Sequence, residues 1–192
     1  MHITLFGGAF DPPHLGHIKV VQNFLKENLT QKVIFLPVKE HNFVKEMRDA
    51  ALRFRMLELV VRNNFVGLPV EISDFELRQT GVSYSFATLE KFSEQRPECK
   101  FSFLIGSDNL RDFPKWDKYQ DLLAKYQVFV YPRAGFSFEG LLPGMVALEG
   151  LPQMQVSSEE VKKNLHNREM IESLLSPEVG EYITNNHLYL DY

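Results

Sequence analysis

The sequence predicts an α/β fold: a doubly wound, mostly parallel sheet flanked by helices, with a small C-terminal helical segment. Two observations predict it. Short apolar runs bounded by turn residues recur along the chain, and amphipathic stretches of helical period lie between them. Strand and helix therefore alternate, which favours parallel pairing and puts a ligand site beyond the carboxyl ends of the strands.

The buried strands are expected at 3–6 (ITLF), 33–36 (VIFL), 68–72 (LPVEI), 101–105 (FSFLI) and 127–131 (QVFVY). Helices are expected at about 15–29, 48–63, 84–95 and 117–125, where apolar residues recur three and four apart, as in Phe54, Leu57, Val60 and Val61. The stretch 132–155 holds Pro132, Gly135, Gly140, Pro143, Gly144, Gly150 and Pro152, so it reads as a connector with room for a short strand near 145–148. From Val156 to Tyr192 the pattern is helical. Ser157 with Glu160 three residues on has the spacing of a capping box, and Pro177 suits the first turn of a last helix. No repeat, low-complexity tract or linker interrupts the chain, so one domain over 1–192 is expected.

With 192 residues, 44% of them hydrophobic, the chain is long enough to build a core without disulfides or a structural metal. The lone Cys99 cannot form an internal bridge, and no Cys/His cluster has zinc-site spacing, so a reducing cytoplasm is the expected compartment. The first residues run straight into a short strand and glycines, unlike a signal peptide, and no apolar run approaches the roughly 20 residues that span a bilayer. A net charge of −4 argues against a protein that coats nucleic acid, though a local group of donors can still hold a small anion.

The most informative segment is Gly7-Gly8-Ala9-Phe10-Asp11-Pro12-Pro13-His14-Leu15-Gly16-His17, between the first strand and the first helix. Paired glycines let backbone amides approach a phosphate, and a helix amino end adds unpaired N–H groups and the positive end of a dipole. Pro12 and Pro13 cannot be helix interior, so the helix should begin close to His14. His14 and His17, three positions apart, then share a face and address one anion, with Gly16 leaving room between them. No Gly-Lys-Ser/Thr follows the glycines, and no Gly-x-Gly-x-x-Gly is present, which sets aside P-loop and dinucleotide-binding readings.

This segment resembles the signature of the HxGH nucleotidyltransferases, and most closely that of the bacterial nicotinate-nucleotide adenylyltransferases. The resemblance continues in Ser83-Tyr84-Ser85 with Thr88-Leu89, in Gly106-Ser107-Asp108 with Trp116, in Ser157-Ser158-x-x-Val161-Lys162, and in Pro177-Glu178-Val179 through Tyr182-Ile183 to Leu188-Tyr189. It implies the Rossmann-like nucleotidyltransferase fold and transfer of AMP from ATP to nicotinate mononucleotide, giving deamido-NAD and pyrophosphate. By the same resemblance His14 and His17 are catalytic, and Gly7, Gly8, Phe10, Asp108, Ser157, Ser158 and Lys162 meet ATP. Tyr84, Ser85, Thr88, Trp116, His41 and Lys45 meet the pyridine nucleotide. Mg2+ rides mainly on the ATP phosphates, and no side chain is assigned as a metal ligand.

Three positions depart from the family pattern. Lys39-Glu40-His41-Asn42-Phe43-Val44-Lys45 stands where Pro-Pro-His-Lys is usual, Ala87 replaces an Asp, and Lys162 replaces an arginine, exchanging a two-bond fork for a point charge. Plainer roles compete at several sites: a helix cap for Asp108, a core aromatic for Trp116, a polar helix start for Tyr84, Ser85 and Thr88, and a solvated surface position for Lys162. Another phosphate acceptor, such as nicotinamide mononucleotide, phosphopantetheine or a sugar phosphate, and a non-catalytic nucleotide-binding relative are the alternative functions. A homo-oligomer is left open.

Overall fold

The computed structural model describes residues 1–39, 47–153 and 155–190. Six strands form one sheet: β1 (His2–Gly8), β2 (Lys32–Pro37), β3 (Val70–Ile72), β4 (Lys100–Gly106), β5 (Gln127–Tyr131) and β6 (Met145–Ala147). Every neighbouring pair is parallel, in the order β3-β2-β1-β4-β5-β6. Parallel neighbours need crossovers, and helices supply the first four: α1 (Leu15–Lys26), α2 (Ala50–Asn64), α3 (Ser85–Gln95) and α4 (Tyr119–Lys125), while residues 132–144 link β5 to β6 without a helix.

The strands are buried on both faces, which is why their sequences are apolar runs rather than alternating ones. β1 shows the division. Ile3 and Leu5 face a layer built with Leu89 and Phe92 of α3 and Leu122 of α4, while Phe6 faces Ile18 and Val21 of α1 and Met56 and Leu57 of α2. The C-terminal segment, α5 (Ser158–Lys163), α6 (Arg168–Leu174) and α7 (Pro177–Asn185), closes that second layer through Val161, Leu174 and Val179.

Element boundaries differ from the sequence expectation where local hydrogen bonds intervene. α1 stops at Lys26 rather than 29, because Asn28 takes a φ of 54° and the amides of Glu27 and Asn28 turn back to the Asn23 and Leu25 carbonyls. The expected helical tail is broken into three pieces, with the Asn167 side chain capping α6 and Pro177 opening α7. The face of α2 turned to the core is Arg53, Met56, Leu57 and Val60; Phe54 and Val61 are only partly buried. No helix among the described residues is long and apolar enough to cross a membrane.

Candidate active site

Strand order runs outward from β1 and β4 in opposite directions, so the crevice at their carboxyl ends is the topological switch point of the sheet. A cavity of about 560 Å3 opens there. Gly7 and Gly8 from β1 and Gly106 from β4 line it. A Cβ on Gly106 would collide with the Asp108 carboxylate and lie 2.9 Å from Cγ of Arg133, so bare backbone at this strand end lets Asp108 and Arg133 converge on the cavity.

His14 is the amino cap of α1, and His17 lies in its first turn. The His14 backbone N–H donates to His17 Nδ1 at 3.1 Å, and the two rings stack with centroids 3.7 Å apart. A Cβ at Gly16 would sit 2.8 Å from His14 Nδ1, so a glycine is what accommodates the His14 ring. Because Nδ1 of His17 accepts, its neutral ring carries the proton on Nε2 and presents a donor there. Phe10 packs its ring against His17 at 4.9 Å and against Phe6 at 5.5 Å, which fixes the imidazole from below.

Burial, and then the positive Arg133, lower the His17 pKa to about 3. Burial, then His17, then Arg133 lower that of His14. Both rings are therefore neutral at pH 7 until an anion arrives to offset the field of Arg133. The Arg133 guanidinium donates from Nη1 to the Val156 carbonyl at 2.8 Å, and its Nε lies 3.6 Å from the Asp108 carboxylate. Two neutral imidazoles and one fixed guanidinium at bare strand ends are an arrangement that can receive an anion.

Residues 5–164 match the cytidylyltransferase-like family model. A Caldicellulosiruptor bescii protein named "Probable nicotinate-nucleotide adenylyltransferase" is 33% identical, with 98% of this chain and 99% of the relative covered. A Clostridium novyi protein of the same name is 30% identical over 94% of each chain. The chain belongs to the cytidylyltransferase-like family and groups within it with the nicotinate-nucleotide adenylyltransferases. The fold is also that of the Plasmodium falciparum nicotinic acid mononucleotide adenylyltransferase complexed with NaAD, with a TM-score of 0.85, 22% identity and coverage of 98% and 97%.

In this adenylyltransferase fold the cavity wall gathers His14, His17, Gly7, Gly8, Asp108 and Ser158 from the residues expected at ATP, and Tyr84, Ser85 and Trp116 from those expected at the pyridine nucleotide. Trp116 lines the cavity while packing on Phe113, 4.9 Å between centroids, and edge-on to Phe103. Ser158 Oγ donates to the Pro12 carbonyl at 3.0 Å and so ties α5 to the proline turn.

Four residues expected at the ligands have side chains engaged elsewhere in this structure. Phe10 does not meet the cavity, because its φ of 49° turns the ring into the core. Ser157 spends its hydroxyl on the Glu160 amide as the cap of α5. Thr88 is buried behind the cavity wall and donates its hydroxyl, at 2.7 Å, to Oε1 of Glu76, a residue that does line the cavity. Lys162 is neither solvated nor on the cavity wall: it is buried, and its Nζ donates to Asp11 Oδ2 at 2.8 Å, a distance at which the carboxylate holds it. His41 and Lys45 lie outside the described residues.

Three functional or supporting residues escaped the sequence reading. Arg133 follows the carboxyl end of β5 by two residues, and that position in a parallel sheet was the available signal. Arg53 lies on the apolar face of α2, fully buried, where its guanidinium donates to the carbonyls of Ala9, Val38, Lys39 and Arg48 and fixes the turn that carries the histidines. Glu76 lines the cavity but sits in a stretch without periodicity.

Proposed function

We propose that the protein transfers the AMP group of ATP to nicotinate mononucleotide, forming deamido-NAD and releasing pyrophosphate, as a single domain working in the cytoplasm. The observation that carries this reading is the His14/His17 pair beside Arg133 at the switch point, with the Nε2–H of His17 left as a donor. A mononucleotide phosphate oxygen attacks the α-phosphorus of ATP, a new P–O bond forms, and the bond from the α-phosphorus to the bridging oxygen breaks as pyrophosphate departs. The nucleophile is already an anion, so positioning and charge stabilisation account for the catalysis.

His17 donates to the α-phosphate as its charge develops, and His14 and Arg133 receive the rest of the phosphate chain. Gly7 and Gly8 offer close backbone approach, Asp108 accepts from ribose hydroxyls, and Ser158 adds a donor at the α5 end. Trp116, Tyr84 and Ser85 hold the pyridine ring and its substituent. The described residues contain no group of three metal-ligating side chains. Mg2+ would be held mainly by the pyrophosphate oxygens of ATP, and there it would supply neutralisation of leaving-group charge.

The test is pyrophosphate release from ATP and Mg2+ with a panel of acceptors. Nicotinate mononucleotide should have the highest kcat/KM, above nicotinamide mononucleotide and phosphopantetheine; a higher value for any other acceptor overturns the substrate assignment. His17→Ala should fold normally and lose roughly a hundredfold or more in turnover. Parental turnover in that folded variant would remove His17 from the chemistry.

A further inference from the structure

Glu76 belongs to the turn between β3 and α3, is 3% exposed and lines the cavity. Its Oε1 accepts the Thr88 hydroxyl at 2.7 Å, while its Oε2 is buried and has no partner among the described residues. Ser83 Oγ, on the same wall, is also buried and unpartnered among them. Both atoms lie at the amino end of α3, an 11-residue helix whose cap, Tyr84, makes no side-chain hydrogen bond to its amides. Buried polar atoms in a folded protein are almost always paired, so two orphans at one uncapped helix start mark the place of an absent ligand group.

The donor inventory selects the ligand. Ionised, Glu76 would be a buried carboxylate with a single hydroxyl donor and no cation, an expensive arrangement. Protonated, it keeps Oε1 for Thr88 and turns Oε2–H outward as a donor. The Ser83 hydroxyl and the free α3 amides are donors too. A set of donors at a positive helix end calls for an anion, and a carboxylate fits it better than a carboxamide, which would bring an NH2 group of its own. On the reading given under Proposed function, we infer that Glu76 is a specificity-determining residue: as the neutral acid it donates Oε2–H to the carboxylate of the pyridine ring, with Ser83 as the second donor.

Burial pushes the Glu76 carboxyl up to about 7, against the opposing pull of the Thr88 hydrogen bond. On its own turn, Asp74 and Arg78 pair with each other at the surface. From the other elements around the cavity, Lys115 and Asp117 flank Trp116, Asp108 and Arg133 close the β4 and β5 ends, and the two histidines stand at α1. Those groups face both pyridine nucleotides alike, so a difference between the two ligands isolates Glu76.

The experiment is calorimetric binding of nicotinate and nicotinamide mononucleotide at pH 8 in two buffers of different ionisation heat. The acid form should take up close to one more proton per site than the amide form, and Glu76→Gln should abolish that difference. The parental KM for nicotinate mononucleotide should rise about tenfold per pH unit above 7. In Glu76→Gln, whose amide donates at every pH and can still accept from Thr88, the rise should vanish. Equal proton uptake for both ligands, or unchanged KM profiles in the variant, overturns the inference. So does a parental preference for the amide that the variant reverses, because Glu76 would then be an ionised acceptor. Failure of the underlying reading looks different: no pyrophosphate is released with either pyridine nucleotide, while the binding measurement still reports on Glu76 directly.

Discussion

Asp11 and Glu76 are carboxyl groups buried to the same degree, 2% and 3% exposed, yet the protein treats them oppositely. Asp11 is saturated: Lys162 Nζ at 2.8 Å and the Arg48 amide at 3.3 Å meet Oδ2, and the Tyr189 hydroxyl at 2.6 Å meets Oδ1. Glu76 has one hydroxyl donor and an unpartnered oxygen among the described residues. The first arrangement joins the histidine turn, α5 and the C-terminal residues in one knot, and it needs no ligand to be complete. The second is incomplete in a fold that otherwise satisfies most of its interior, and it borders the cavity. A buried carboxylate with its own cation is structure; one without is reserved for something that binds.

The largest expected effect breaks the saturated knot. Lys162→Ala strands Asp11 as a buried charge and should cost about 3–5 kcal/mol of unfolding free energy in denaturant titration. Lys163→Ala, whose side chain is exposed on the same helix, should stay within about 0.5 kcal/mol of the parent. If Lys162→Ala keeps parental stability and instead loses affinity for ATP, the lysine serves the phosphates and the contrast with Glu76 collapses.

Next comes stability against pH. The Glu76 carboxyl ionises near 4.5 when unfolded and at about 7 when folded, so between those values the native state holds more protons and stability falls as pH rises. The penalty is absent below 4.5 and complete above 7. Its size is on the order of 3 kcal/mol, because each tenfold change in proton affinity is worth about 1.4 kcal/mol. His14 and His17, with lowered values, oppose it: the unfolded rings take up protons first, so they cost stability as pH falls below 6.5. The difference between the parent and Glu76→Gln removes the histidine contribution. That difference should grow from pH 4.5 to 7 in favour of the variant; a flat difference would place the native Glu76 ionisation at its unfolded value.

Much of this was legible in the sequence, for physical reasons that also explain what was not. The strands could be read because burial on both faces writes them as apolar runs, and the β1–α1 turn because glycines, prolines and paired histidines are confined to eleven residues. Asp108 and Arg133 come from strand ends distant in sequence, and only Asp108 had a motif to mark it. The Lys162–Asp11 pair was not legible because helical spacing gives a direction around α5 but not the remote carboxylate that captures the side chain. Arg53 broke the rule that a helix turns its apolar residues inward, since four backbone carbonyls supply what a buried guanidinium requires. Glu76 left no trace because its turn has no period, and its character arises from burial alone.

The smallest expected effect sharpens the contrast from the Glu76 side. Thr88 makes the one hydrogen bond that the Glu76 carboxyl has among the described residues, and that bond favours the ionised form. Thr88→Val removes the hydroxyl while keeping the shape, so stability should fall by only about 0.5–1.5 kcal/mol, the net worth of a typical hydrogen bond. Its chemical effect is directional. With the donor gone the neutral acid is favoured further, and the rise in KM for nicotinate mononucleotide should move to higher pH, while Thr88→Ser, which retains a hydroxyl, should return it toward the parental position. Asp11 offers the internal standard, since its partners are untouched and the cost of Lys162→Ala should be the same in the Thr88→Val background as in the parent. A KM profile that stays in place in Thr88→Val, or shifts to lower pH, would mean that the titrating group above pH 7 is not Glu76.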